Sequence, residues 1–76
     1  MAKFELVRFI DPNDGEVTFA QFNAGRTEVV VYTSERYARS QLGNEEHFDD
    51  IEEALATTGY AAAVRAALQG EVVATA

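Results

Sequence analysis

The sequence predicts an α+β fold: a three-stranded antiparallel β-meander followed by two or three short helices packed on one face of the sheet. Two observations indicate this order. The first half is rich in aromatic and β-branched residues interrupted by turn signals, whereas the second half carries apolar residues at helical spacing. A chain of 76 residues has room for one domain, so we expect residues 1–76 to form a single small α+β domain. Five Phe and three Tyr can supply its core despite a net charge of −7.

The three predicted strands occupy residues 4–10, 16–22 and 27–33. Between the first two lies DPNDG, in which Pro12 presets the first corner of a turn and Gly15 can adopt the positive φ that closes a bulged hairpin. Gly25 has the same role between the second and third strands. Consecutive strands joined by short turns form a meander.

Within each of the first two strands, the apolar residues change from one face of the strand to the other. A five-residue loop between the strands would place these two changes opposite each other. That register pairs Ile10 with Glu16 and Phe4 with Phe22. Both faces of the sheet are then apolar near the start of the chain. The second face needs a cover from the helices, the C-terminal tail or a partner, and exposed Phe4 and Phe22 would form a candidate contact patch.

After residue 33 the period of the apolar residues changes from two to 3.6. Ser34 can cap a short first helix that ends at Gly43, and Asn44 can cap a second helix. The buried stripe of the second helix would be Phe48, Ile51 and Leu55, and that of the third Tyr60, Val64 and Leu68. For residues 71–76 two alternatives stay open, a further edge strand and a frayed tail.

Composition limits the cellular setting. The absence of cysteine excludes disulfides and thiolate chemistry, and no apolar run is long enough to span a membrane. The N-terminus lacks the basic and then apolar layout of a signal peptide. We therefore expect a cytoplasmic protein that makes no contact with membranes.

Catalysis and metal binding find little support. The only histidine, His47, has no serine or cysteine at helical spacing, and no GxSxG turn or glycine-rich phosphate loop is present. His47 with Glu46 and Asp50 offers donors on one helical turn, yet a structural metal site needs about four ligands from two elements. The loop DPNDGE lacks the glycine and glutamate positions of an EF-hand. We expect no enzyme activity, no catalytic residue, no cofactor and no metal.

Acidity is concentrated in the second half of the chain. Residues 1–43 hold five bases and six acids, a net charge of −1, whereas residues 44–76 hold one base and seven acids, a net charge of −6. This charge disfavours direct nucleic-acid binding and favours approach to a basic protein surface.

The stretch NEEHFDDIEE (44–53) contains most of this acidity. On a helix its carboxylates would form two adjoining rows, and like charges at i, i+4 oppose helix formation by a few tenths of a kcal/mol per pair. Either arginines of the chain fold over the block, or the block is a solvated face, or it is held for a basic partner. The predicted partner-binding acids are Glu45, Glu46, Asp49, Asp50, Glu52 and Glu53.

These features predict a small acidic protein-binding domain. By analogy of size and charge with phage or mobile-element proteins, we expect an inhibitor or regulator that docks on a basic surface of a host nucleic-acid machine such as an RNA polymerase or nuclease. A structural or assembly subunit, joined into a homo-oligomer through an open strand edge, is the alternative; a monomer or weak homodimer fits both. An enzyme or metal protein using His47 is the third hypothesis.

Overall fold

A computed structural model describes residues 4–32 and 45–75, which form five strands and two helices. The elements are β1 (Phe4–Ile10), β2 (Val17–Asn23), β3 (Val29–Tyr32), β4 (Glu45–Phe48), α1 (Ile51–Ala56), α2 (Ala61–Leu68) and β5 (Glu71–Thr75). The α+β class is confirmed. The predicted count of three strands is wrong, because β4 and β5 extend the meander on either side. The helix predicted after Ser34 lies outside the described residues.

All five strands belong to one antiparallel sheet, in the order β4-β3-β2-β1-β5. The first three strands pair consecutively, as a meander requires. β5 returns antiparallel to β1, which confirms the edge-strand alternative for residues 71–75. β4 and β5 are thus the two edges of the described sheet.

The segment predicted to begin the second helix is instead strand β4. It pairs with β3, with Phe48 opposite Val29. The Phe48 side chain is buried in the core, as part of the sheet. The helical pattern depended on only three apolar residues, Phe48, Ile51 and Leu55, and pairing with β3 overrides it. The helix begins six residues later than predicted, at Ile51, where the Asp50 side chain rather than that of Asn44 provides the N-cap.

The β1–β2 register differs by one residue from the predicted one. Ile10 pairs with Val17, so the connecting loop has six residues, 11–16. The loop is closed by the backbone N–H of Asp11 donating to the carbonyl of Glu16 at 2.9 Å, and Gly15 adopts the expected positive φ of +73°. A shift of one residue moves side chains to the opposite face of a sheet.

Both faces of the sheet carry apolar clusters, as predicted, although through different residues. Helix α2 packs on β1, and together with α1 it covers one face. The buried residues of that cluster are Val7, Phe9, Ala20, Phe22, Val29, Val31, Phe48, Ala54, Ala63, Val64 and Ala67. On the other face Phe19 and Tyr32 are buried, and Leu6 and Val30 pack against them.

Candidate functional site

The six predicted partner-binding acids follow one border of the molecule, formed by β4 and the start of α1. We call this set the acidic flank: Glu45, Glu46, Asp49, Asp50, Glu52 and Glu53. Because β4 is a strand, the flank is not a pair of carboxylate rows on one helix. The predicted i, i+4 repulsion along a helix is therefore wrong for its first members.

The start of α1 gives three of these acids a structural role. The Asp50 carboxylate accepts a hydrogen bond from the backbone N–H of Glu52 at 3.0 Å, which caps the helix. Glu52 and Glu53 lie in the first turn, where the helix dipole favours negative charge. The energetic disadvantage predicted for these three acids is wrong, because each is placed where it stabilises α1.

Glu45 has two neighbours, His47 and Tyr32. Its Oε1 lies 3.1 Å from Nε2 of His47, an exposed contact between residues on the same side of β4. Tyr32 pairs with Glu45 across the strands. Burial of the Tyr32 phenol raises its pKa above the usual value, and the negative charge of Glu45 raises it further.

Glu46 and Asp49 remain, and both are exposed without a cationic partner among the described residues. The arginines of residues 4–32 and 45–75 do not reach the acidic flank. Arg8 pairs with Glu71 on the β5 side at 3.2 Å, and Arg26 pairs with Glu5 at 3.1 Å. Arg65 forms no ion pair in this part of the chain. The other two arginines of the chain, Arg36 and Arg39, lie outside the described residues.

An acidic cleft of about 420 Å³ opens at the end of the sheet where β3 ends and β4 begins. Tyr32 and Tyr60 contribute to its walls. Its carboxylates come from the β1–β2 loop and from the flank: Asp11, Asp14, Glu16, Glu45 and Glu46. Among the described residues, no three carboxylate or imidazole groups converge as a metal ion would require.

Local hydrogen bonds hold the loop side of the cleft. Asp11 accepts from the backbone N–H of Asn13 and Asp14 from that of Glu16, both at 2.9 Å. The side-chain amide of Asn13 also donates a hydrogen bond to the backbone carbonyl of Gly59 at 2.9 Å. This bond connects the loop to the turn between α1 and α2. Sequence reasoning took the loop acids as turn residues only. Their place beside the flank depends on long-range pairing that no local pattern encodes.

The predicted contact patch of Phe4 and Phe22 does not form. Phe22 is 0% exposed, and the Arg26 guanidinium lies 5.0 Å from its ring centre. Phe4 is 44% exposed and belongs to the opposite face, because it pairs with Asn23. The shifted register separates the two rings, and only Phe4 is available for contact.

No protein-family model, curated protein or solved structure matches this chain. Neither described helix has the length and hydropathy needed to cross a membrane.

Proposed function

We propose that this protein is a non-enzymatic acidic binding domain of the phage or mobile-element type. It inhibits or regulates a nucleic-acid machine of the cytoplasm by docking on that machine's basic surface. One observation carries the proposal: the flank and cleft gather carboxylates from the β1–β2 loop, β4 and the start of α1, and no arginine of the described residues pairs with the flank.

Such a surface favours a basic partner through its field. The clustered carboxylates of the acidic flank produce a negative electrostatic potential. This potential accelerates encounter with positively charged protein surfaces and repels nucleic acid. A channel that normally holds DNA or RNA phosphates presents the lysines and arginines that this surface needs. Binding there would exclude the nucleic acid by competition for the same cations.

The acids differ in what they are free to do. Asp50 is committed to capping α1, so its replacement would confuse binding with stability. Glu46 and Asp49 have no intramolecular role among the described residues, which makes them the sharpest probes of docking. Glu52 and Glu53 combine a structural role with an exposed charge.

The test is a comparison of two variants with the same change in net charge at different places. Glu46→Gln with Asp49→Asn removes two charges from the flank. Gln69→Lys with Thr75→Lys makes the same change of +2 near the β5 edge, on exposed positions, and leaves the Arg8–Glu71 ion pair intact. Purified bacterial RNA polymerase and a purified basic nuclease serve as probes, each with labelled duplex DNA as competitor.

Wild-type protein should displace the DNA from at least one probe, with an affinity that falls as salt rises. Exposed ion pairs contribute about 0.2–1 kcal/mol each, so the flank variant should bind about 2- to 30-fold more weakly. The control variant should bind almost as wild type does. Equal weakening by both variants would show that only total charge matters, and absence of competition with DNA on both probes would contradict the proposed target class.

A further inference from the structure

A small groove lies on the sheet face opposite α1 and α2, beside the acidic flank. Its volume is about 110 Å³, and its lining combines apolar side chains, amides and carboxylates. We propose that this groove binds one arginine side chain of the basic partner. The inference rests on the proposed function, because it names the chemical group by which that partner is held.

Strand pairing places the lining residues in two rows across the sheet. Phe4 pairs with Asn23 in the outer row. In the inner row Gln21 pairs with Val30, and Val30 with His47. Directly paired residues of antiparallel strands point to the same face, so these side chains share one surface. The groove therefore has its position fixed by the sheet.

Two carboxylates, those of Glu28 and Asp49, form the charged end of the groove. Both residues are exposed, and they lie directly beyond the last pair of the β3–β4 ladder. The two chains stay side by side there, because the backbone N–H of Ile51 donates to the carbonyl of Thr27 at 2.8 Å. Neighbouring chains are about 4.8 Å apart, and like charges across them repel. Within residues 4–32 and 45–75, neither carboxylate has an ion-pair partner.

The apolar part of the groove suits the stem of a long basic side chain. Phe4 is 44% exposed, and Val30 is partly buried. Arginine covers apolar surface with its methylene groups while its charged head stays in water. A stem that lies along Val30 and Phe4 brings the guanidinium to the two carboxylates. Shape and charge thus favour the same occupant.

The same chain already holds one guanidinium between an aromatic ring and a carboxylate. The Arg26 guanidinium lies 5.0 Å from the ring centre of Phe22, and its Nε lies 3.1 Å from Oε1 of Glu5. The groove offers a ring and two carboxylates. A planar guanidinium with five donors can bond to both carboxylates, whereas a lysine ammonium is a compact point charge. We therefore expect the groove to prefer arginine to lysine.

Nuclear magnetic resonance of isotope-labelled protein tests the groove without the partner. The probe is N-acetyl-arginine amide, in which only the side chain is charged, and the lysine and citrulline analogues are compared with it at constant ionic strength. The arginine probe should cause saturable shifts of the Phe4 ring and the Val30 methyl groups, with a dissociation constant of about 10–100 mM. The neutral citrulline analogue should cause none. The lysine analogue should bind at least about threefold more weakly.

Two substitutions within the groove have a matched control outside it. Glu28→Gln and Phe4→Ala should each weaken binding of the arginine probe about 1.5- to 5-fold, the loss expected for one exposed ion pair or cation–π contact. Glu16→Gln makes the same charge change as Glu28→Gln at an exposed position outside the groove. It should leave binding at the wild-type level. Circular dichroism checks that each variant is folded.

Several results would overturn the proposal: no binding of the arginine probe, shifts centred on other residues, equal binding of the lysine analogue, or equal weakening by Glu16→Gln. None of them bears on DNA displacement, which tests the proposed function separately. Where wild type displaces DNA, Glu28→Gln should weaken displacement about 1.5- to 5-fold as well. Unchanged displacement by that variant would show that the partner does not use the groove.

Discussion

Among the glycines that the structure describes, Gly70, at the junction between α2 and β5, is the one at which a methyl group should be most damaging. A Cβ built on Gly70 would lie 2.6 Å from the Arg8 carbonyl oxygen and 2.6 Å from Cγ1 of Val7, with Cβ of Phe9 at 3.1 Å. The Arg8 oxygen belongs to the backbone of β1, which is held between β2 and β5. It cannot move aside as a flexible side chain would.

The size of the effect follows from that overlap. Ordinary contacts begin near 3.4 Å, so Gly70→Ala must separate β1 from the α2–β5 junction by about 0.8 Å. Overpacking of this kind destabilises by about 1–3 kcal/mol, and the rigid backbone neighbour places this case near the upper end, about 2–3 kcal/mol. A 76-residue domain has a free energy of unfolding of about 4–11 kcal/mol, and each kcal/mol shifts Tm by about 4–8 °C. We expect Tm to fall by about 8–24 °C.

Two other glycines calibrate the assay, which is thermal and urea unfolding followed by circular dichroism. Gly25→Ala meets only Cγ2 of Thr27 at 3.9 Å, so its Tm should change little. Gly59 has φ of +93° with open space around it, so alanine there should cost only about 1–2 kcal/mol of backbone strain. The predicted order of destabilisation is Gly70, then Gly59, then Gly25. A Gly70→Ala variant that melts within about 2 °C of Gly25→Ala would refute the packing described here.

Three further predictions concern the core, the helix cap and a titrating phenol. Phe22→Ala should destabilise by about 3–5 kcal/mol in urea unfolding and Phe4→Ala by about 1 kcal/mol or less, because only the first opens a cavity; equal losses would contradict the observed register. Asp50→Ala should lower the free energy of unfolding by about 1 kcal/mol, whereas Asp49→Ala should change it by less than about 0.5 kcal/mol, and a reversal of this order would exclude Asp50 as the cap. The folded-state pKa of Tyr32 lies above 10.0, so the folded state holds this proton more tightly than the unfolded state. The resulting stabilisation is fully present below pH 10.0 and is lost as pH rises through the folded pKa; ultraviolet titration of wild type against Tyr32→Phe should show one late-titrating phenol, and early titration of all phenols would contradict its burial.

Local signals in the sequence were enough for the fold class and for the turn between β1 and β2, but the positive φ expected at Gly25 between β2 and β3 falls instead on Arg26, at +54°. The first three strands and the positive φ of Gly15 follow from short-range patterns, whereas for residues 71–76 those patterns left an edge strand and a frayed tail as alternatives. The register between β1 and β2 does not. Five- and six-residue loops are both compatible with DPNDGE, and the choice depends on which face Phe19 and Phe22 reach once the whole sheet is assembled.

The acidic block shows the same limit more clearly. Phe48 and Ile51 have the i, i+3 spacing of a helix, yet residues 45–48 form a strand because they pair with β3. Asp50 then changes from one member of a repelling row to the cap of α1. The presence of a concentrated negative surface was predictable from composition, whereas the tertiary structure was needed to tell which acids stabilise the fold and which have no cationic partner within the described part of the chain.

The central proposal is that the acidic-flank carboxylates without a cationic partner among residues 4–32 and 45–75, rather than net charge alone, bring this protein to a basic partner. Its most direct test is the association rate with whichever of the two probes, the RNA polymerase or the basic nuclease, the protein displaces from DNA in the competition assay, measured by stopped flow at low and high salt. Glu46→Gln with Asp49→Asn should slow association about 2- to 10-fold at low salt and by much less at high salt, because screening removes the steering field. The Gln69→Lys and Thr75→Lys control should associate at nearly the wild-type rate. Identical rates for the flank variant and wild type at low salt would contradict the claim.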